Sequence, residues 1–320
     1  MSLKDIFKAF PFSKGKTKDK AVPSEPPPPE IPPPSPYAEL LEAEMAASIS
    51  AAPQAPLRIR DVFLLDNLTA KPKSTVGLLF QNPGVAVIRD PYRGSVGRLL
   101  PWRLDGVSFA LYGDWLGVGV ESIGFFHRPS RYFFLWRSDS IGEPEIQFPF
   151  GPHDSNWIPL AGDWDGDGLD GVGFYDPDRS VFMLRNQLTA PALPELEFAF
   201  GSQGKGWLPV AGDWDGDGVD GIGLFDPATA TFYLRDTLSE GPFQHKLRLD
   251  RIGPGCRPIA GDWNGDGVDG VGCYDGSSGT FYLRNALNDG EPEEFFKFGP
   301  HEIPGMPFSG RWVLPEGSHK

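Results

Sequence analysis

Gly162-Asp163-Trp164-Asp165-Gly166-Asp167-Gly168-Leu169-Asp170-Gly171 is almost repeated from Gly212 to Gly221 and, with Asn264 for the second aspartate, from Gly261 to Gly270. The starts are 50 and 49 residues apart. A period of this size, carrying short strand patterns and glycine turns, marks an array in which each unit buries its apolar face against its neighbours. Weaker copies extend it. Gly113-Asp114-Trp115 lies 49 residues before Gly162, Gly310-Arg311-Trp312 lies 49 after Gly261, and a fainter copy starts near Leu65-Asp66. The intervals of 48, 49, 50, 49 and 49 mark five units.

One unit reads as four strands. Trp207-Leu208-Pro209-Val210-Ala211 enters the acidic loop and Gly221-Ile222-Gly223-Leu224-Phe225 leaves it. Asp226-Pro227-Ala228-Thr229-Ala230 has turn residues, Thr231-Phe232-Tyr233-Leu234-Arg235 follows, and an outer strand like Glu197-Phe198-Ala199-Phe200-Gly201 completes the unit. Four antiparallel strands per unit make a propeller blade. The expected architecture is an all-β, five-bladed propeller. It has six blades if the strand near Arg60–Asp66 and that near Pro307–Val313 do not share one.

The G-D-W-D-G-D-G-x-D-G core, the G-x-[FY]-D-P and F-Y-L-R strands, and the endings Phe150-Gly151, Phe200-Gly201 and Phe298-Gly299 resemble FG-GAP/VCBS-type calcium-binding propeller repeats. The likeness covers about residues 57–314. It implies a fold and a metal more firmly than an activity. Members of that family are commonly extracytoplasmic adhesive, ligand-binding or enzyme-associated modules, and many place the last aspartate of the loop one residue later than here.

Alternating aspartates turn their carboxylates toward one point when glycines let the backbone curl, and three like charges there call for a cation. Calcium accepts six to eight oxygens in flexible geometry, and D-x-D-x-D-G is like the first half of an EF-hand loop. The expected ligands are Asp163, Asp165, Asp167, the Leu169 carbonyl and Asp170; Asp213, Asp215, Asp217, the Val219 carbonyl and Asp220; and Asp262, Asn264, Asp266, the Val268 carbonyl and Asp269. About three Ca²⁺ sites follow. The loop Asp114-Trp115-Leu116-Gly117-Val118-Gly119-Val120-Glu121 lacks the second and third carboxylates and is expected to be metal-free.

The formal charge of −14 argues against a nucleic-acid partner. The 40 Gly and 34 Pro favour short strands and tight turns over long helices. Cys256 and Cys273 align with Trp157/Trp207 and with Phe174/Leu224, which favours small buried apolar residues over a disulfide. The tryptophans after each Gly-Asp are read as packing between blades. Arg137, Arg185, Arg235 and Arg284, near strand ends, are read as ion-pairing or edge-protecting groups.

Residues 1–20 hold six lysines against two aspartates, and Leu3, Ile6, Phe7 and Phe10 follow the spacing of one helix face. They are read as a segment that docks on a protein partner or lies on an anionic membrane. Residues 21–36 are a proline-rich linker, with nine prolines in sixteen residues. Residues 37–56 are a short helix and linker, 57–314 the propeller and 315–320 a tail. The chain has neither a run of about 18 apolar residues nor a secretory leader. The expected location is therefore cytoplasmic or membrane-peripheral, or outside by an unconventional route. The family resemblance favours the outside.

His127, His153, His245, His301 and His319 include a pair in the same Phe-Gly-Pro-His turn, and no G-x-S-x-G, H-E-x-x-H or phosphate-cradling lysine loop occurs. The expectation is a non-enzymatic, calcium-stabilised binding or scaffold module tethered through its N-terminal segment, with a glycan or protein ligand possible on the propeller face. Alternatives are a lectin or polysaccharide-active enzyme, and a structural subunit of a multiprotein particle.

Overall fold

The computed structural model describes residues 73–80, 85–89, 96–101, 108–136, 143–152, 155–190, 193–299 and 305–312. The segments expected at 1–20 (with Leu3, Ile6, Phe7 and Phe10), 21–36, 37–56 and 315–320, and the repeat copy near Leu65, lie outside these. All described elements are strands, arranged as five antiparallel four-stranded sheets.

Blade I runs from the axis outward as β4 (Ser108–Gly113), β5 (Ser122–His127), β6 (Tyr132–Leu135) and β7 (Ile146–Pro149). Blade II is β8 (Ile158–Gly162), β9 (Gly171–Asp176), β10 (Val181–Arg185) and β11 (Leu196–Ala199). Blade III is β12 (Leu208–Gly212), β13 (Gly221–Asp226), β14 (Thr231–Arg235) and β15 (His245–Arg248). Blade IV is β16 (Arg257–Gly261), β17 (Gly270–Asp275), β18 (Thr280–Arg284) and β19 (Glu294–Lys297).

Blade V joins the two ends of the array. Its inner strand is β20 (Met306–Gly310), followed by β1 (Thr75–Phe80), β2 (Val85–Arg89) and β3 (Val96–Pro101). Register runs from Thr75↔Gly310 to Leu79↔Met306. The inner strands β4, β8, β12, β16 and β20 contact one another in a closed cycle, so the ring has five blades and the six-bladed form is excluded. The C-terminal strand fills the inner position to which the copy near Leu65 would correspond.

Burial follows from blades packed face to face. The second strand of a blade is covered on both sides, so β9, of sequence GVGFYD, is buried throughout. The outer β11, of sequence LEFA, is mostly exposed. Each of the five apolar clusters straddles one blade interface. Phe133 and Phe148 of blade I meet Phe174 and Met183 of blade II, and Phe308 of blade V meets Ile123 and Phe125 of blade I. Trp115, Trp164, Trp214 and Trp263 are all buried in this core.

Cys256 and Cys273 form a disulfide within blade IV, contrary to the unpaired reading from sequence. Pro258 is the cross-strand partner of Cys273, so Cys256, two residues earlier, lies diagonal to it on the same face of the sheet. The Cα atoms are 5.7 Å apart, well within bridging distance. The aligned pair in blade II, Trp157 and Phe174, is in ring contact at the same place, with centroids 6.0 Å apart. Alignment with large apolar residues therefore marked a contact, which here is covalent.

Candidate metal centres on the channel rim

The acidic loops all join an inner strand to its neighbour, which places them together at one end of the ring. In blade II the Asp163 carboxylate accepts hydrogen bonds from the amides of Gly166 (2.8 Å), Asp167 (3.2 Å) and Gly168 (2.8 Å). Asp213 does the same for Gly216, Asp217 and Gly218 in blade III, and Asp262 for Gly265, Asp266 and Gly267 in blade IV. The first aspartate is thus the keystone of the turn. Its hydrogen bonds require the following glycines to curl, and Gly166 and Gly216 have φ of 76° and 78°, a region costly for residues with a Cβ. A Cβ on either would also meet a valine of the next blade's loop, Val219 or Val268, at 3.0 Å.

Blade I shows what the turn needs. Asp114 accepts from the amides of Leu116, Val118 and Gly119 although the second and third carboxylates are absent. One aspartate suffices to fold the loop. Asp165, Asp167, Asp215 and Asp217 are therefore surplus to the hydrogen bonds that the first aspartate accepts, although Asp167 and Asp217 each take one further amide, that of Leu169 and of Val219, at 2.8 Å.

The structure brings these surplus groups together. Asp163, Asp165 and Asp167 each place a carboxylate oxygen within 4.8 Å of the others, and so do Asp213, Asp215 and Asp217. Two oxygens bound to one Ca²⁺ at about 2.4 Å can be no farther apart than about 4.8 Å, so the spacing fits a shared cation. The electrostatics agree. Loss of solvation, together with the charges of Asp167 and Asp163, raises the pKa of Asp165; loss of solvation, with Asp217 and Asp215, raises that of Asp213.

The blade IV loop is chemically different. The Asn264 amide donates to Asp266 Oδ2 at 2.8 Å and its oxygen accepts the Asp266 amide at 2.9 Å. Hydrogen bonds from the Val268 amide and from Asn264 hold the Asp266 carboxyl below its ordinary pKa. Asn264 thus gives the Asp266 carboxylate a side-chain donor at the position where blades II and III carry another carboxylate.

The fourth aspartate reaches across the blade interface. Asp170 Oδ2 accepts the backbone amide of Asp114 in the preceding blade at 2.7 Å, Asp220 Oδ2 that of Asp163 at 3.0 Å, and Asp269 Oδ2 that of Asp213 at 3.1 Å. In return the amides of Asp170, Asp220 and Asp269 donate to the carbonyls of Asp114, Asp163 and Asp213. Ser74 makes the same two-bond clasp with Asp262, and Glu121 with Arg311. Five reciprocal clasps therefore link five blades. The signal was available in sequence: Glu121 keeps an acid at the eighth loop position in the one loop that has lost its other surplus carboxylates.

The clasp explains the glycine before each aspartate. A Cβ on Gly162 would lie 2.8 Å from both Asp220 Oδ2 and the Trp164 ring, and one on Gly212 would lie 2.8 Å from Asp269 Oδ2. Solvent loss at this crowded ring raises the pKa of Asp170 and Asp269 to about 7 and of Glu121 to about 8, outweighing the lowering effect of Arg311.

The recurrent arginines serve mainly as loop organisers. Arg235 donates to the carbonyls of Ser239, Pro242 and Glu240, and Arg185 to those of Gln187, Leu193 and Thr189. Arg284 repeats the pattern on Asn288, Glu291 and Asp289. The planar guanidinium fork satisfies several converging carbonyls at once; the accompanying contacts to Glu195 and Glu293 are longer, at 4.0 and 3.6 Å. Arg137, His153, His301 and His319 lie outside the described residues. His245 Nε2 is 2.8 Å from Asp236 Oδ1, beside the loop that Arg235 organises.

No protein-family model and no curated protein matches the chain. Among solved structures, a protein of unknown function from Bacteroides caccae is similar, at 14% identity and a TM-score of 0.40, over 71% of this chain and 73% of that one. The BBS1N fragment, crystallised in complex with ARL6DN, is similar at 8% identity and a TM-score of 0.31 over 59% of this chain. The match spans 56% of that fragment's length. What the fold and rim define is a class, the closed five-bladed propeller. Among the described residues, no helix is long and apolar enough to cross a membrane.

Proposed function

We propose that this chain is a non-catalytic binding or scaffold module of the FG-GAP/VCBS type, whose propeller is stabilised by calcium held on the rim of its channel. Asp163, Asp165 and Asp167 hold one ion, Asp213, Asp215 and Asp217 a second, and Asp262, Asn264 and Asp266 a weaker third. The ion's contribution is charge neutralisation and loop rigidity. The observation that carries this reading is the pair of converging carboxylate triads in loops whose fold, as blade I shows, requires only the first aspartate.

Calorimetric titration of the full chain with Ca²⁺ tests it. Two tight equivalents and a third weaker one are expected, with the melting temperature falling on chelation. A silent titration, together with a melt indifferent to chelator, overturns the reading.

A lectin reading draws on a different feature. Trp207 and Tyr233 are stacked at 4.7 Å, Phe243 meets Tyr233 edge-on at 5.3 Å, and Lys246 lies 5.5 Å above Tyr233. Such a platform suits a sugar face. Glycan-array binding that Phe243→Ala abolishes would favour this reading over the scaffold.

A further inference from the structure

The blade I loop lost its surplus carboxylates but did not acquire other polar groups. Leu116 and Val118 stand where blade II has Asp165 and Asp167, and they are 38% and 47% exposed. Leu169 of the neighbouring loop is 41% exposed and packs against the same turn, since a Cβ on Gly117 would meet its Cγ at 3.3 Å and its Cδ2 at 3.2 Å. None of the three belongs to the interblade core. The turn uses only the backbone amides of Leu116 and Val118. Three exposed apolar side chains on two adjacent loops thus lie on the rim beside the acids of blades II and III, where folding does not require them.

We infer that this rim patch is the docking site of the chain's own N-terminal segment, residues 1–20. Two observations select that occupant. First, the chemistry is complementary: Leu3, Ile6, Phe7 and Phe10 supply an apolar stripe, and six lysines supply charge opposite to that of the triads containing Asp165, Asp167, Asp215 and Asp217, each of which stays net negative with a divalent ion bound. Second, the chain enters the propeller on this same rim. Ser74, two residues after the last N-terminal residue outside the described set, clasps Asp262 through its amide and hydroxyl. The residues between Phe10 and Lys73 can span several tens of ångströms at up to about 3.3–3.6 Å each. Tethering gives the segment an effective concentration of up to about millimolar, so a small contact suffices.

Hydrogen–deuterium exchange of the full chain in chelator and low salt tests the docking independently of calcium. The proteins compared are the wild type, L116D/V118D and F7D/F10D. The first variant copies the acidic pattern of the sister loops and therefore suits the fold; the second changes only residues outside the described propeller. Exchange of residues 3–10 should be about tenfold faster in L116D/V118D than in wild type, and exchange of 115–120 faster in F7D/F10D by a similar factor. Both effects should be independent of protein concentration and reduced by salt. Equal exchange in all three proteins overturns the inference. So does protection that grows with protein concentration, which assigns the patch to a second copy, or protection of residues 3–10 seen only with anionic vesicles, which assigns the segment to lipid.

Discussion

At the residue scale, the aspartates of one repeat divide into three roles that identical chemistry conceals. The first folds the turn, the next two are surplus to the hydrogen bonds it accepts, though the third holds one amide of its own, and the fourth clasps the preceding blade. Sequence spacing singled out all four but not their division, because a clasp joins residues of different repeats and leaves no local pattern. Glu121 isolates the clasp, since its loop has no carboxylate triad. Burial raises its pKa to about 8 against the counteracting Arg311. The folded state therefore holds this proton more tightly than the unfolded chain, and stability falls as pH rises from the ordinary carboxylate range through 8. Glu121→Gln retains an oxygen to accept the Arg311 amide and removes the ionisation. Denaturant midpoints in chelator should decline less between pH 5 and 9 for this variant than for wild type; parallel declines would show that Glu121 does not titrate as described. Glu121→Ala should instead lose about 1–3 kcal/mol at every pH, because it strands a partly buried amide.

At the scale of the loop, the distinction between keystone and surplus aspartate separates folding from binding. Asp215→Asn and Asp217→Asn leave the hydrogen bonds accepted by Asp213 in place. Each should remove one calcium equivalent in titration while leaving the chelated melt within about 0.5 kcal/mol of wild type, the usual range for surface changes. Asp213→Ala should lower the chelated melt as well. If all three variants behave alike, the division of roles fails. The blade IV bridge belongs to the same scale. Cys256 and Cys273 are 17 residues apart, and closing a loop of about 15 residues is worth about 3 kcal/mol in the chain-entropy account. Reductant should therefore lower the denaturant midpoint of the wild type and leave that of a C256A/C273A variant unchanged. The pairing was hidden in sequence because blade II fills the same contact with the Trp157 and Phe174 rings, and an alignment reports size and polarity but not distance.

At the scale of the whole molecule, the repeat period alone set the blade and nearly set the count. Six copies are visible in sequence and five blades in the ring; the difference is the closure, in which β20 supplies the inner strand of blade V. That strand contributes a full ladder to β1, the Phe308 ring at the interface with blade I, and the Arg311 end of the fifth clasp. A blade without its inner strand exposes both a sheet edge and two interblade faces, so the cost is shared by the entire ring. Truncation after residue 304 should abolish the single cooperative melt and raise binding of hydrophobic dye. A synthetic peptide of residues 304–314 should restore the melt, since it carries the whole of β20 and its Arg311-Trp312 extension. Deletion of residues 1–56 should leave the melt intact. The contrast is diagnostic: were the segment near Leu65 the true inner strand, truncation at 304 would be tolerated, whereas a ring closed by β20 fails without it and recovers when the strand is supplied in trans.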